Sequence, residues 1–169
     1  MAGTRARRAL TVERSAAGLA AFVLAVTAAA LIGVFSAAET ADEYARLRQP
    51  AWAPPSWVFG PVWTVLYATI ALAGWDVWRR LGWRGSRLAL TLYFGQLVLN
   101  AAWTPLFFAA DLRGLAFAEI VVLWLVLSGT VAAFFRAAPR AGWLMVPYWA
   151  WTTFAAALNL AVWQLNAGG

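Results

Sequence analysis

The chain contains no cysteine and no histidine among its 169 residues. It therefore forms no disulfides, performs no thiolate chemistry and lacks the usual protein ligands of zinc. The absence of histidine also removes imidazole acid–base catalysis and the commonest axial ligand of haem iron, although tyrosine remains available. These absences exclude enzymes that depend on cysteine or histidine, and no metal site is expected.

Charged residues are also scarce. They make up 12% of the chain, against about a quarter of an ordinary soluble domain, whereas 63% of the residues are hydrophobic. The apolar residues form long blocks instead of the alternating strands of an outer-membrane barrel. Five blocks each have about 20 residues or more, which is enough to cross a hydrocarbon core of roughly 30 Å. The sequence predicts an all-α fold, an integral membrane bundle of five transmembrane helices.

The predicted organisation is a basic N-terminal tail over residues 1–14, followed by a single five-helix membrane domain over residues 15–166. The first connection, residues 39–56, is the only long one. The other connections are short, so sequence neighbours should be antiparallel. The predicted spans cover residues 15–38, 57–78, 88–108, 114–135 and 141–165.

Arginines at the ends of the apolar blocks predict the orientation. Arg46, Arg48 and Arg113 flank one side of the bundle, and the other ten arginines flank the opposite side. By the positive-inside rule, the N-terminus is cytoplasmic, and the 39–56 loop and the C-terminus are outside. The net charge of +6 therefore reflects topology, and no nucleic-acid partner is expected. The arginine count presumes an inner bacterial membrane, so the choice between inner and outer membrane stays open.

The chain has twelve tryptophans, which is far above ordinary usage. An aromatic belt at headgroup level explains those near the predicted helix ends. Trp63 and Trp103 lie about a turn inside the ends. Trp124, Trp149 and Trp151 lie near mid-span, where the belt does not apply.

Helical spacing groups aromatic and polar side chains on three faces. The second span groups Phe59, Trp63, Tyr67 and Ile70; the third groups Gln96, Asn100, Trp103 and Phe107; the fifth groups Tyr148, Trp151, Ala155, Leu158 and Asn159. Buried amides need partners inside the bundle. Two interpretations stay open at this point. In one, amides bridge helices and aromatic rings fill the core. In the other, the faces line a pocket for a flat, apolar ligand with a few polar groups.

Glu119 is an acid inside a predicted span, about a turn and a half into the fourth helix. Carboxyl groups within a membrane are costly and usually face the protein interior or water. Glu119 is either a packing residue, protonated or bonded to an amide, or it has a role in binding a proton or a ligand.

Three motifs, in order along the chain, resemble the TspO/translocator protein family, also known as the tryptophan-rich sensory protein or peripheral benzodiazepine receptor family. The first is WAPP at residues 52–55, followed by FGPVWT at 59–64 and LY at 66–67. The second is NAAW at residues 100–103, followed by Phe107 and Phe108. The third comprises Pro147, Tyr148, Trp151, Phe154, Ala155, Leu158 and Asn159. The matches extend over residues 42–166, and the chain resembles a bacterial member.

The resemblance implies a five-helix bundle, often a homodimer, with a ligand cavity under the first long loop. Family members bind porphyrins such as protoporphyrin IX and haem, as well as isoquinoline carboxamides and benzodiazepines, and no further cofactor is required. Carried over residue by residue, the family's ligand-binding positions are Tyr44, Pro54, Phe59, Trp63, Tyr67, Asn100, Trp103, Trp151, Ala155 and Leu158. Mitochondrial members bind cholesterol through a motif in the fifth helix, but here Leu160 and Gln164 replace its tyrosine and arginine.

The leading hypothesis from sequence is a membrane receptor or sensor that binds porphyrin and regulates tetrapyrrole metabolism or a stress response. One alternative is an enzyme that degrades protoporphyrin in light and oxygen. No acid–base or nucleophile constellation supports ordinary catalysis, so the ligand would supply the photochemistry, with Trp63 and Trp151 as its partners. The other alternative is a transporter of porphyrin or lipid, for which Glu119 is the one candidate coupling group.

Overall fold

The computed structural model describes residues 2–37, 44, 46–110 and 112–167. Within them the chain forms five long helices, which confirms the predicted all-α fold. They are α1 (Ala2–Ala37), α2 (Phe59–Gly85), α3 (Arg87–Thr104), α4 (Arg113–Ala137) and α5 (Pro139–Asn166). A 3₁₀ turn, Ser56–Val58, precedes α2, and a π-helical turn, Pro105–Ala109, extends α3. Residues 38–43 and 45, which belong to the first predicted span and the long loop, lie outside the described part.

The first helix begins at Ala2, inside the segment that was predicted as a basic tail. Alanine and arginine have high helix propensity, and this segment has no proline, so the helix continues beyond the apolar block. The predicted boundary at residue 15 followed the change in charge. A change in charge marks where a helix leaves hydrocarbon, and it does not end the helix.

Three of the described helical stretches are long and apolar enough to cross a membrane by length and composition: Glu13–Ser36, Ser56–Gly85 and Arg113–Ala137. The remaining two helices, α3 and α5, carry the amides and many of the tryptophans and tyrosines, which lower mean hydropathy. They complete the bundle, and the amides of Gln96, Asn100 and Asn159 are buried in its interior.

The helices form a closed ring in the order α1, α2, α5, α4, α3, and the contact between α3 and α1 completes the ring. Towards the predicted cytoplasmic end, the core is built around fully buried side chains such as Ile70, Leu90, Tyr93 and Phe134. Towards the opposite end, a smaller cluster packs Phe107 against Leu158 and Val162.

Gly74 permits a close approach of three helices in the larger core. A methyl group added at this position would lie 2.7 Å from ring carbons of both Phe22 of α1 and Tyr93 of α3. Tyr93 is fully buried, stacks on Phe134 and donates a hydrogen bond to the Ile70 carbonyl at 3.2 Å. Helices α1, α2 and α3 therefore meet at a point where only glycine fits.

The end of α2 is interrupted at Gly82, whose backbone has φ 64° and ψ 178°. Positive φ is costly for residues with a Cβ atom, so glycine suits this position. The Ser86 hydroxyl donates a hydrogen bond to the Gly82 carbonyl at 2.6 Å and secures the turn before α3 begins.

Candidate functional site

A cavity of about 500 Å³ lies between the helices, under the described part of the long loop. Its volume is within the range of about 300–1,000 Å³ that is typical of ligand sites. All five helices contribute to its wall. Its eight aromatic side chains are Tyr44, Phe59, Trp63, Tyr67, Trp103, Phe107, Phe108 and Trp151.

Nine of the ten residues predicted as ligand-binding lie on this wall. Pro54 is the exception: it is half-buried in the loop and does not line the cavity. The wall also contains residues that were not predicted as ligand-binding, notably Ala30 and Val34 of α1 and Ile120 and Leu123 of α4. No pattern distinguishes Ala30 and Val34 from lipid-facing positions. Ile120 and Leu123 lie at i+1 and i+4 from Glu119, and an acid within a span is a signal that this part of α4 faces the interior.

Pairs of wall rings pack directly on one another. Trp63 stacks on Tyr67 with ring centroids 5.0 Å apart, and Trp103 stacks on Phe107 at the same separation. On the loop side, Phe59 meets Tyr44 and Trp151 edge to face, at 5.6 Å and 5.8 Å. Such contacts restrict the rotamers of both partners, so the aromatic wall is held in place before any ligand arrives.

Two buried asparagines tie the wall together. The Tyr67 hydroxyl donates to Asn100 Oδ1 at 3.1 Å, and Asn100 Nδ2 donates to the Tyr148 hydroxyl oxygen at 3.1 Å. Trp103 Nε1 donates to Asn159 Oδ1 at 3.0 Å, and Asn159 Nδ2 donates to the Arg113 carbonyl at 3.1 Å. The amides therefore bridge helices, as the structural interpretation predicted, and they also orient side chains of the cavity wall.

The three mid-span tryptophans divide into two groups. Trp124 Nε1 donates to Thr153 Oγ1 at 2.8 Å, and Trp149 Nε1 donates to Ser128 Oγ at 2.9 Å. Both bonds join α4 to α5 and serve helix packing. Trp151 lines the cavity instead. Spacing alone does not separate these roles, because it does not show which hydroxyl lies opposite each indole N–H group.

The loop is fastened to the end of α5 at Asn166. The Arg48 N–H donates to Asn166 Oδ1 at 3.1 Å, and Asn166 Nδ2 donates to the Arg48 carbonyl at 3.0 Å. Further along the loop, Trp52 contacts Phe154 edge to face at 5.7 Å, and Leu47 packs against the smaller core cluster. These contacts hold the loop over the cavity.

The described wall is uncharged, and several of its polar groups, including those of Tyr67, Asn100 and Asn159, are hydrogen-bonded within the protein. Tyr44 is only 8% exposed, and its hydroxyl has no hydrogen-bond partner among the described residues. Burial raises the pKa of the Tyr44 hydroxyl, so this group stays neutral and can donate a hydrogen bond. The described residues contain no group of three or more carboxylates that could hold a metal ion.

Comparison with known proteins places the chain among proteins of matching size. The translocator protein of Sus scrofa is 41% identical over 127 residues, which cover 74% of this chain and 75% of that protein. The tryptophan-rich sensory protein of Cereibacter sphaeroides is 42% identical over 123 residues, covering 73% and 76%. The tryptophan-rich protein TspO of Archaeoglobus fulgidus is 36% identical over 150 residues, covering 88% and 97%.

A family model described as the TspO/MBR family matches residues 20–164. This range includes every described residue of the cavity wall, the whole of α2, α3 and α4, and most of α5, and it begins within α1. The match therefore confirms the resemblance seen in the motifs, and the chain belongs to the TspO/MBR family of integral membrane proteins.

Proposed function

We propose that the protein is a membrane receptor that binds protoporphyrin IX, haem or a related flat apolar ligand in the cavity between its helices. Family membership supports a membrane sensor or receptor role. The ligand class is inferred from a cavity of about 500 Å³ that is lined by eight aromatic side chains. None of the described residues that line this cavity is charged. Ligand occupancy would report tetrapyrrole levels and regulate tetrapyrrole metabolism or a stress response.

The wall suits a large aromatic ring system for two physical reasons. Stacked and edge-on rings offer flat faces, and their contacts with another ring are worth about 0.5–1.5 kcal/mol each beyond the burial of apolar area. The unused Tyr44 hydroxyl can donate one hydrogen bond at the loop end. The propionate groups of a porphyrin would find no counterion within the described wall, so we expect them at the mouth, near Arg46 and Arg48.

We further propose that the protein works as a homodimer, that porphyrin is a ligand and no other cofactor is required, and that nucleic acid is not a partner. The arginine distribution supports a cytoplasmic N-terminus and an external C-terminus. In that orientation the loop that carries Tyr44, and the mouth that it covers, face outward.

Titration of the purified protein with protoporphyrin IX in the dark tests the proposal. Tryptophan fluorescence should be quenched saturably at micromolar ligand, because three indoles line the cavity. An uncharged isoquinoline carboxamide should reverse the quenching by competition. Free tryptophan mixed with empty detergent micelles provides the control for non-specific quenching. Quenching of the protein that rises linearly without saturation, as in this control, would contradict the receptor proposal.

Repeating the titration under illumination tests the alternative of light-dependent degradation. The indoles of Trp63 and Trp151 lie on the wall, where they would contact an excited porphyrin. A new porphyrin product that forms in light with the native protein, but not with a Trp63→Phe/Trp151→Phe variant, would favour turnover over sensing. Equal product from both proteins would eliminate this alternative.

The Asn166 contact with Arg48 gives a kinetic prediction. Asn166→Ala removes both hydrogen bonds that fasten the loop, so porphyrin association and dissociation rates should both rise by about threefold to tenfold, while Kd changes less. Stopped-flow quenching measures both rates. The matched control is Gln164→Ala, an exposed position at the same helix end. Unchanged rates in Asn166→Ala would show that the loop does not limit access.

A further inference from the structure

Two acids within the helical bundle have different surroundings. The carboxyl oxygens of Glu119 are shielded from solvent, and neither has a hydrogen-bond partner among the described residues. Asp76 of α2 is also buried, but both of its oxygens are bonded: Arg79 Nε and Nη2 donate to Oδ1, and Arg80 Nε donates to Oδ2 at 3.0 Å. Because the two oxygens belong to one carboxylate, Asp76 holds two guanidinium groups side by side.

Arg79 is also fixed by a contact that reaches helix α1. Its guanidinium carbon lies over the Trp75 ring, 4.6 Å from the ring centroid. Trp75 Nε1 in turn donates a hydrogen bond to the Ser15 carbonyl of α1 at 2.9 Å. An arginine held at its Nε edge and at its flat face has lost most of its rotamer freedom, so little further ordering is needed when an anion binds.

The outer edges of the two guanidinium groups face away from the protein. The side chains of Arg79 and Arg80 are 40% and 43% exposed. Nη1 of Arg79 and both Nη atoms of Arg80 have no hydrogen-bond partner among the described residues. The planar N–H fork of arginine matches two oxygens of a phosphate group. Since one carboxylate neutralises only one of the two cations, the pair keeps both a positive charge and unused donors for an anion.

The pair lies at the depth of lipid phosphates. Arg79 follows Phe59, the first residue of α2, by 20 residues, a rise of about 30 Å that equals the thickness of the hydrocarbon core. Tyr67, the last α2 residue on the cavity wall, is about 18 Å from Arg79 along the helix. The pair is therefore separate from the cavity and stands where hydrocarbon gives way to headgroups, at the predicted cytoplasmic end.

An exposed apolar stripe of α2 leads to this pair. Leu72 and Val65 precede Arg79 by 7 and 14 residues, a spacing that places all three on one face of the helix. Leu72 is 41% exposed and Val65 is 62% exposed. In a membrane these side chains contact acyl chains. A phospholipid can therefore contact the stripe and the pair at once, whereas a soluble anion can contact only the pair.

The remaining charges at this end of the bundle favour a lipid with net negative charge. A zwitterionic headgroup brings its own cation, which a basic surface repels, whereas phosphatidylglycerol brings only the phosphate charge. The other charged residues here whose side chains the structure describes are Glu13, Arg14, Arg84, Arg87, Arg136 and Arg140.

We propose that Arg79 and Arg80, positioned by Asp76, bind the phosphodiester headgroup of an anionic phospholipid, whose acyl chains lie along Leu72 and Val65. The site is independent of the proposed receptor function, because it shares no residue with the cavity wall. It differs from a diffuse basic surface in one respect: its affinity depends on the geometry of two guanidinium groups as well as on their charge.

Native mass spectrometry of the protein in detergent, titrated with dioleoylphosphatidylglycerol, measures the Kd of the first bound lipid. Arg79→Lys/Arg80→Lys keeps both charges but removes the planar forks and the Nε donors. This Kd should increase about tenfold, the effect of losing one charge-assisted hydrogen bond. The matched control is Arg84→Lys/Arg87→Lys, the same chemical change outside the pair, which should leave the Kd unchanged. An unchanged Kd in the first variant, or equal losses in both, would overturn the site.

Two further titrations identify the source of the phosphate. Dioleoylphosphatidylcholine should bind the native protein at least about threefold more weakly than dioleoylphosphatidylglycerol. Inorganic phosphate at the same concentration should not displace dioleoylphosphatidylglycerol, because it cannot contact the apolar stripe. Equal affinity for the two lipids would contradict the preference for an anionic headgroup. Displacement by inorganic phosphate would show that the pair binds a soluble anion, and would overturn the assignment of a lipid.

Discussion

Replacing Trp151 with leucine should weaken protoporphyrin IX binding by about thirtyfold. A central aromatic anchor in a desolvated pocket contributes about 2 kcal/mol or more, and each 1.4 kcal/mol corresponds to a factor of ten in Kd. Trp151 lines the cavity and contacts Phe59, so its loss removes a flat face and loosens a neighbouring ring. Dark titration followed by absorbance of the porphyrin, instead of tryptophan emission, measures the effect without interference from the lost fluorophore.

The matched control is Trp149→Leu. Trp149 lies two residues earlier on the same helix and is likewise near mid-span, but its indole bonds Ser128 on α4 and it does not line the cavity. This variant should lose some thermal stability and keep the native Kd. Equal losses of affinity in the two variants would show that any mid-span tryptophan supports binding indirectly, and would contradict the assignment of Trp151 to the wall.

Replacing Gly74 with alanine should destabilise the bundle by about 1–3 kcal/mol, the usual cost of overpacking a dense core. The added methyl group would lie 2.7 Å from Phe22 and from Tyr93. Neither ring can withdraw easily, because Phe22 lies among Trp78, Tyr93 and Phe94, and Tyr93 is held by Phe134. Thermal unfolding in detergent should show a Tm lowered by about 2–12 °C.

Gly95→Ala provides the comparison. The nearest atom to a methyl group added there is Val126 Cγ1, at 3.9 Å, which is ordinary van der Waals contact. Alanine also has a higher helix propensity than glycine, by up to about 1 kcal/mol. The free energy of unfolding of this variant should therefore equal that of the native protein or be slightly higher. A Gly74→Ala protein as stable as Gly95→Ala would mean that α1, α2 and α3 do not meet as closely as described.

The sequence was sufficient to predict the number and type of helices, because blocks of about 20 apolar residues have few alternatives in a chain with so little charge. Short connections predicted that sequence neighbours pack together, but α2 and α3 are not adjacent in the ring, and the full order of helices was not predicted. In lipid, apolar surface does not favour one partner over another, and contact depends on local fit. Here the fit is set by details such as Gly74 beneath Phe22, which no periodic pattern reveals.

The site was predictable where polar and aromatic residues share a face. Asn100 and Trp103 mark one wall and Tyr148 and Trp151 another, because an amide cannot face hydrocarbon without a partner. The contribution of α1 was not predictable, since Ala30 suits lipid as well as a cavity. On α4 the signal was Glu119, which lies beside the wall residue Ile120. Pro54 was predicted as ligand-binding from the family resemblance alone, and it does not line the cavity. The packing roles of Trp124 and Trp149 were not predictable, because they depend on the positions of Thr153 and Ser128 opposite the indole N–H groups.

The order of helices around the ring has a consequence for biogenesis. Helix α5 fits between α2 and α4, so the ring stays open until the last helix has been synthesised and inserted. Until then Asn100 lacks Tyr148, Trp103 lacks Asn159, and Arg48 lacks Asn166. A nascent chain that ends before Pro139 therefore leaves the Asn100 Nδ2 group and the Trp103 indole N–H without these partners, and its cavity lacks the α5 wall. Quality-control proteases that survey membranes would meet a clear difference between the unfinished chain and the completed bundle.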